Sequence, residues 1–330
     1  MESEVLLQTG LMTTIAIDAG GTYLKAGVLK NGILLPELSF IRPSHSNGTS
    51  EQIVGGLADL ILELSTAYRA LLGIEDYTAG FVIGLAFPGP FEYESGISRI
   101  QGLNKYDSIY GLNLKALLRD ELTRRAELNS SWPWLSELAA APIRLSNDAV
   151  LFSLGVSRLF PEDKMVCLTL GTGLGSTFIE KQKVVLGRSG IPATGMLYEE
   201  MFNEERVDDV LGSRGILSLA DSLHARSSDD SVQNLAFAAQ SGDPSAIQVW
   251  KIYGQRLGLI LRPYISAFRP DKLVLGGQIA KSRELFEDSL QSALMPEQVV
   301  LYYENDVQGQ VFYGIQQMFD TIHNIKEFSE

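Results

Sequence analysis

Two glycine-rich turns and one Asn-Asp pair hold the residues of this sequence that could do chemistry. The first turn lies in IAIDAGGTYLKAG, where the backbone N–H groups of Gly20 and Gly21 could approach phosphate oxygens with no Cβ in the way. Thr22 adds a hydroxyl donor, Asp18 could hold Mg²⁺ through water, and Lys25 could neutralise phosphate charge. An ordinary Gly-Gly hairpin with a solvated lysine would give the same letters.

The second turn is GTGLG, in which Gly171, Thr172 and Gly173 follow a strongly apolar run. Such a turn offers a further series of N–H donors, although a tight hairpin accounts for it equally well. The Walker pattern is excluded because no Gly-Lys-Ser/Thr follows. The Rossmann pattern fails because the chain continues as a strand and not as a helix. Together, the two turns favour a site for phosphate groups.

The Asn-Asp pair stands where the strand IRLS meets a helical pattern. Transfer of a γ-phosphoryl group to an alcohol needs a carboxylate that orients the hydroxyl and accepts its proton. Asp148 could do this, or it could simply cap the helix. Asn147 could hydrogen-bond a sugar hydroxyl, or it could be a turn residue.

A third glycine pair follows the apolar run LVL near the end of the chain. Gly276 and Gly277 leave a flat surface against which an adenine or ribose ring could lie. A close crossing of a helix and a strand would explain these glycines equally well.

The elements that must position these residues alternate between strands and helices. Strand, glycine-rich turn and strand fill 13–32 and end at an Asn-Gly hairpin turn, and helical spacing of apolar residues covers 51–73. A buried strand is predicted at 79–90, and the strand-turn-strand pattern recurs at 165–187. A helical segment at 230–270 then leads to a strand and turn at 271–280. The order predicts an α/β protein with two duplicated β-turn-β units.

The chain has 330 residues, more than one hydrophobic core usually supports, so we expect two domains with a cleft between them. NSSWPW breaks the periodicity and suggests a linker near 120–145. The domains are therefore predicted at 1–130 and 131–330, with the last helix packing back on the N-terminal domain.

Composition excludes several classes of partner. A formal net charge of −13 disfavours binding to nucleic-acid phosphates or anionic lipid. No run reaches the ~18 apolar residues that would span a bilayer, so we expect no membrane attachment and a cytoplasmic location. The single cysteine, Cys167, excludes an internal disulfide and any multi-cysteine zinc site.

The motifs in their order resemble those of the ROK family of sugar kinases over nearly the whole chain. DAGGTYLKAG is similar to the family's phosphate-binding opening, SNDA to its catalytic Asn-Asp pair, and LTLGTGLG and LVLGGQIA to its second phosphate and adenosine motifs. FPGPFEYESGI and the long segment ending in RPDKLVLGG fit as well.

The resemblance implies the two-domain actin-like ATPase (ribonuclease H-like, hexokinase-type) fold, ATP with Mg²⁺ as phosphate donor, a sugar hydroxyl as acceptor, and a homodimer. It implies that Asp148 is the base and Asn147 a sugar ligand. Asn104 lies where the family has a sugar-contacting Asn-Leu, and Asp208 aligns with a sugar-binding Glu that is one methylene longer.

This sequence departs from the family between residues 190 and 210. GIPATGMLYEEMFNEERVDD contains neither the Cys-rich zinc motif nor the Glu-x-Gly-His that grips the sugar. We therefore expect no structural zinc and an altered sugar pocket, in which Glu199 or Glu200 could substitute. Three hypotheses remain open: a hexose kinase, a kinase of a non-sugar acceptor, and a sugar- or nucleotide-sensing protein without turnover.

Overall fold

The computed structural model describes residues 12–73, 80–129, 131–188, 190–225 and 231–320. The chain divides into two compact units by its internal contacts. The first unit consists of the residues up to Leu151 together with those from Gln308 onward, and the second consists of Phe152–Val307. Each unit is built around its own five-stranded sheet.

The first sheet has the strand order β3-β2-β1-β4-β7. Its strands are β1 (Met12–Ala19), β2 (Tyr23–Lys30), β3 (Ile33–Pro43), β4 (Gly80–Ala86) and β7 (Ile143–Ser146). The first three strands are antiparallel neighbours, whereas β4 and β7 run parallel to β1. A two-stranded ribbon of β5 (Phe91–Glu92) and β6 (Ile97–Ser98) follows β4.

The helices of this unit are α1 (Ser50–Leu72), α2 (Leu114–Leu128), α3 (Trp134–Ala140), α4 (Asp148–Ser157), which begins here, and α10 (Val307–Asp320). A 3₁₀ turn at Asp107–Ile109 precedes α2. α1 begins with a capping box between Thr49 and Gln52 and ends at Gly73, which adopts the left-handed conformation. Its apolar face, with Leu57 and Leu64 fully buried, packs on the sheet, and burial of each such side chain stabilises the fold by about 1.5–3 kcal/mol.

The second sheet repeats this arrangement in the order β10-β9-β8-β13-β14. Its strands are β8 (Lys164–Leu170), β9 (Leu174–Glu180), β10 (Lys183–Val184), β13 (Lys272–Gly276) and β14 (Val300–Tyr303). β8, β9 and β10 are antiparallel neighbours, and β13 and β14 run parallel to β8. The ribbon here pairs β11 (Met201–Phe202) with β12 (Glu205–Arg206).

The helices of the second unit are α5 (Val207–Leu211), α6 (Ser213–Ser222), α7 (Val232–Gln240), α8 (Pro244–Phe268) and α9 (Glu287–Leu294), with 3₁₀ turns at Ile279–Leu285. α8 begins at Pro244 after Asp243, whose side chain accepts a hydrogen bond from the Ala246 N–H. Trp250 and Leu257 of α8 are completely buried in the core of this unit.

These elements confirm the α/β prediction and the repeated strand-turn-strand pattern. The Asn-Gly turn after β2 is confirmed as well, with Asn31 at φ 51° and Gly32 at φ 76°. The boundary between the units lies at 151/152 and not at the expected 130/131. The expected linker region instead contains the end of α2, all of α3 and the strand β7, which is hydrogen-bonded to β4 in the first sheet. Among the described residues, no helix is both long and apolar enough to cross a bilayer.

Candidate active site

The register of the first sheet brings the two candidate carboxylates to one edge. Asp18 is paired with Ala86 of β4, and Ala86 is paired with Ser146 at the end of β7. Because β1, β4 and β7 are parallel, their carboxyl ends meet at this edge. Asp148, two residues beyond Ser146, therefore lies at the same edge of the sheet as Asp18.

The charges of the two carboxylates act on each other. Burial raises the pKa of Asp18 to about 6, and the charge of Asp148 adds to that shift, while Lys25 opposes it. Lys25 stands directly across from Asp18 in the antiparallel pair of β1 and β2. Two carboxylates and an ammonium group thus share this part of the sheet edge.

Asp148 is the first residue of α4, and its neighbour Asn147 takes the capping role. The Asn147 Oδ1 accepts hydrogen bonds from the N–H of Ala149 at 2.9 Å and of Val150 at 3.3 Å. Asp148 Oδ1 accepts a further bond from the Ala149 N–H at 3.0 Å, and its side chain keeps an exposed surface. Although a water molecule can reach this carboxylate, protein atoms crowd most of the space around it, and this desolvation raises its pKa.

The carbonyl groups of the first glycine-rich turn accept hydrogen bonds from side chains and backbone of the same unit. The Tyr106 hydroxyl donates to the Gly20 carbonyl at 2.8 Å, and the Ser44 hydroxyl donates to the Gly21 carbonyl at 2.9 Å. The Ser44 N–H donates to the Thr22 carbonyl at 3.0 Å. The turn itself is closed by the Gly20 N–H and the Tyr23 carbonyl at 3.0 Å. These hydrogen bonds occupy the carbonyl oxygens of the turn. The other N–H groups of the turn could therefore bind an anion.

Sequence reasoning missed Lys105. The Cδ of this residue would lie 3.3 Å from a Cβ on Gly21, so the glycine makes room for the lysine side chain. The Lys105 charge also acts on Asp148, where it opposes the rise in pKa. Since these partners are far from Lys105 along the chain, no local pattern could have identified it.

The loop that holds Lys105 has an unusual backbone. Asn104, the expected sugar ligand, has φ 54° and is exposed, and Tyr106 has φ 60°. The Tyr106 N–H bonds to the Ser46 carbonyl at 2.6 Å, and its hydroxyl reaches the first turn. These two bonds fix the loop against the turn and hold both non-glycine residues in the left-handed region.

Asn147 has one further contact. Its Nδ2 lies 3.3 Å from the Tyr93 hydroxyl, which in turn donates to the Phe87 carbonyl at 2.9 Å. The amide oxygen of Asn147 is therefore used by the helix cap, and the amide nitrogen faces a side-chain hydroxyl. The structure shows Asn147 at the strand-to-helix junction as the helix cap, and its hydrogen bond to a sugar hydroxyl stays a prediction.

The second glycine-rich turn lies in the other unit, between β8 and β9. Gly171 and Gly173 close it by an N–H to carbonyl bond of 3.1 Å, and Thr172 between them is exposed. Asp208, the second expected sugar ligand, lies against this turn, with its Oδ1 2.7 Å from the Leu174 N–H.

The last glycine pair is accounted for by packing. A Cβ on Gly276 would come within 2.6 Å of the Phe152 ring, and one on Gly277 within 2.2 Å of the Leu170 carbonyl oxygen. Gly276 is buried, and Gly277 has φ 97°. Phe152 packs closely on Gly276, so helix and strand cross closely here. A contact of Gly276 and Gly277 with an adenine or ribose ring stays a prediction.

The two acidic residues suggested as replacements for the missing sugar contacts differ. Glu200 accepts a hydrogen bond from the Tyr264 hydroxyl at 3.2 Å, whereas Glu199 is exposed. Glu200 is thus held by the helix α8, and Glu199 is hydrogen-bonded to the Tyr198 hydroxyl beside it.

Comparison with known proteins finds similarity to one family of proteins. A family model described as the ROK family matches residues 202–310. A glucokinase from Thermotoga maritima is 25% identical over 295 residues, which cover 82% of this chain and 83% of the relative.

Solved structures share the fold. A ROK hexokinase from Thermus thermophilus has a TM-score of 0.70 at 19% identity, over 96% of this chain and all of the other. A ROK-family glucokinase from Streptomyces griseus, solved with glucose and AMPPNP, has a TM-score of 0.64 at 18% identity, over 92% and 98%. A ROK-family transcriptional regulator, a homologue of the E. coli MLC protein, also scores 0.70 at 19% identity, over 96% and 81%. The fold is therefore the actin-like ATPase fold of these proteins, and it occurs in both kinases and regulators.

Proposed function

We propose that the chain is a member of the ROK family, to which it is similar in sequence, and that it is an ATP-dependent kinase that phosphorylates a hydroxyl group of a hexose or related sugar. One observation carries the proposal: Asp18 and Asp148 lie at the same edge of one sheet, beside a glycine-rich turn and two lysines. A protein that only senses a ligand has no need of a carboxylate with a raised pKa next to a phosphate-binding turn.

Asp148 is the general base in this proposal. Its position at the start of α4 fixes its backbone, because Asn147 supplies the cap and leaves Asp148 Oδ2 free of that task. A raised pKa makes the carboxylate a stronger base for the hydroxyl proton. The neighbouring Lys105 stabilises the ionised form that must be present before the proton is accepted.

Asp18 is the candidate residue for Mg²⁺. Burial, with a smaller contribution from the charge of Asp148, raises the pKa of Asp18, and a divalent cation near these carboxylates would offset both effects. A carboxylate oxygen suits Mg²⁺, and because the described residues form no cluster of three or more metal-ligating side chains, the nucleotide phosphates and water would have to complete the ligand set. Mg²⁺ bound with ATP would supply charge neutralisation on the transferred phosphoryl group. Lys25 across the strand pair, and Lys105 above Gly21, would contribute positive charge from the protein itself.

Each glycine-rich turn is proposed to bind phosphate groups. In the first unit, the proposed donors are the N–H groups of Gly21 and Thr22 and the Thr22 hydroxyl, since the Gly20 and Gly21 carbonyl groups already accept hydrogen bonds from the protein. In the second unit, Gly171, Thr172 and Gly173 offer a second set of donors. The hydrogen bonds to the carbonyl groups preorganise these turns, and this preorganisation lowers the free-energy cost of binding an anion.

The sugar ligands are proposed to be Asn104 and Asn147 together with Asp148, all in the first unit. Because the usual Glu-x-Gly-His is replaced by Thr194, Gly195, Met196 and Leu197, fewer charged partners meet the sugar hydroxyls. We therefore propose weak selectivity for glucose, or a preference for a modified or more apolar sugar. A pocket without a group that binds a given hydroxyl discriminates less between sugars. A sugar that lacks this hydroxyl then leaves no buried polar group of the protein unpaired.

The experiment that tests the proposal is an ADP-release assay with Mg-ATP across glucose, mannose, N-acetylated hexosamines and fructose. Sugar-dependent ADP release that disappears without Mg²⁺ is the expected result, with the K_M values for these sugars within about tenfold of one another. Sugar binding with no ADP release from any acceptor would favour the sensing protein. Release with a non-sugar alcohol alone would favour the second kinase hypothesis. A low-micromolar K_M for glucose alone would contradict the proposed pocket.

We also propose a cytoplasmic homodimer without structural zinc and without a nucleic-acid partner. Residues 190–210 contain no Cys and no His, although a structural zinc ion needs four such ligands. Elemental analysis of the purified protein should therefore show less than stoichiometric zinc. One zinc ion per chain would contradict this part of the proposal.

A further inference from the structure

The second glycine-rich turn is braced by the segment that joins α5 to α6. The Ser213 N–H donates to the Gly171 carbonyl at 2.9 Å, and the Ser213 hydroxyl lies 3.4 Å from the Thr172 carbonyl oxygen. Gly212 approaches so closely that a Cβ on it would come within 2.7 Å of that same oxygen. The carbonyl groups of the turn are thus held on the side of α6.

Asp208 completes this brace with its carboxylate. Oδ1 accepts a hydrogen bond from the Leu174 N–H at 2.7 Å, at the point where β9 begins. The same oxygen lies 2.7 Å from the place that a Cβ on Gly173 would occupy. Oδ2 lies 3.3 Å from the Arg214 guanidinium, which also pairs with Asp209 at 2.9 Å.

Both oxygens of Asp208 are therefore engaged within the second unit. Only 20% of the side chain is exposed, whereas Asp209 next to it is 46% exposed. A hydrogen bond from a backbone N–H to a carboxylate is among the stronger ones in proteins. A carboxylate used in this way is a poor candidate for direct contact with a sugar hydroxyl.

We infer that Asp208 is a positioning residue that holds the Gly171–Gly173 turn in the conformation that binds nucleotide phosphates, and not a ligand of the sugar. The inference rests on the proposed kinase function. Asp208 Oδ1 occupies the place that a side chain at position 173 would need, so the glycine there makes room for the carboxylate. A carboxylate one methylene longer would have to leave its present position against the Leu174 N–H.

The test measures nucleotide and sugar binding separately in three variants. Asp208→Ala removes the carboxylate, Asp208→Glu lengthens it, and Asp209→Asn is the matched control that changes a neighbouring Arg214 partner but not the contact to the turn. Isothermal titration with Mg-AMPPNP gives the nucleotide Kd, and titration with the best sugar substrate gives the sugar Kd. Steady-state kinetics give K_M for each substrate.

The expected result is a rise of ~10-fold or more in Kd and K_M for the nucleotide in Asp208→Ala, since a hydrogen bond to a charged group is lost. The sugar Kd should stay within about twofold of the wild-type value. Asp208→Glu should weaken nucleotide binding as well, and Asp209→Asn should change neither Kd. Should Asp208→Ala fail to fold, as judged by circular dichroism, Asp208→Glu decides the question, because the carboxylate and its charge are retained.

A different pattern would overturn the inference. A sugar ligand at this position predicts a raised sugar Kd with an unchanged nucleotide Kd in Asp208→Ala, and unchanged or tighter sugar binding in Asp208→Glu. An unchanged nucleotide Kd in both variants would also sink it. Failure of the proposed function has its own signature, since the wild-type protein would then bind no nucleotide at all.

Discussion

The two glycine-rich turns occupy the same place in two similar sheets and differ in the charges around them. The first joins β1 to β2 beside Asp18, Lys25, Lys105 and Asp148. The second joins β8 to β9, and Thr169 stands at the strand position that Asp18 holds in the first sheet. Asp208, a carboxylate that braces the backbone and is paired with Arg214, lies close to it. The same backbone arrangement thus stands beside two carboxylates and two lysines in one unit and beside a carboxylate paired with an arginine in the other.

The difference teaches that a backbone motif and its chemistry are separable. In both turns the carbonyl groups accept hydrogen bonds, from Tyr106 and Ser44 in the first unit and from Ser213 in the second. Anion binding needs only this preorganised backbone. Proton transfer needs titratable groups in addition, and the described residues place those at the first turn.

The largest expected effect follows from removal of the base at the first turn. Asp148→Asn keeps the shape and the Oδ1 acceptor of the side chain but cannot take a proton. We expect turnover to fall by ~10²–10⁴ while the sugar Kd stays near the wild-type value. Asp120→Asn, an exposed change on α2 of the same unit, is the control and should be neutral. Near-native turnover of Asp148→Asn would show that this residue is not the base. The two turns would then not differ by the presence of a base.

A smaller effect is expected from the lysine that lies above Gly21. Lys105→Met keeps most of the side-chain volume and removes the charge, so the transferred phosphoryl group loses one cationic partner. We expect kcat/KM for ATP to fall by ~10–100-fold, because a charged hydrogen bond of this kind contributes about 1.5–3 kcal/mol. Lys105→Arg should recover part of the loss.

The control for this change is Lys30→Met at the opposite end of β2. It removes the same charge from the same unit far from the turn, and its kcat/KM should be within about twofold of wild type. Equal losses in the two variants would show that net charge, and not the position of Lys105, controls the activity.

Sequence alone predicted the elements that depend on local pattern. The hairpin at Asn31-Gly32, the helix over 51–73 and the strand before Asn147 follow from turn chemistry and periodicity, and the structure confirms all three. Sequence could not decide between Asn147 and Asp148 as the helix cap, because either side chain can reach the free N–H groups of α4. The register across β1, β4 and β7, which places Asp18 and Asp148 at one edge, depends on tertiary pairing.

The residues that sequence missed or placed differently all have distant partners. Lys105 meets Gly21 and Asp148, and Asp208 meets Leu174, through contacts that no local spacing encodes. Gly276 packs against Phe152, a contact that the sequence did not indicate. In each case the decisive contact is made by side chains that the sheets bring together.

The smallest expected effect is on stability, and it again separates the first turn from the rest of its unit. The pKa of Asp18 is about 6 in the folded protein, against an ordinary value of 3.8. The folded state therefore binds this proton more tightly than the unfolded state. Its contribution to the free energy of unfolding is fully present below pH 3.8 and is lost as the pH rises through 6.

Asp18→Asn cannot ionise, so it should escape that loss. In nucleotide-free protein with a chelator, we expect Asp18→Asn to melt about 2–4 °C above the wild type at pH 8, a modest shift because the side chain is partly exposed to water. The difference should shrink between pH 6 and pH 4, where the wild-type carboxyl group also becomes neutral. Asp120→Asn should show no such pH-dependent difference. A constant offset at all pH values would mean that packing, and not the charge of Asp18, sets the change, and the first turn would then store no electrostatic strain for its proposed chemistry.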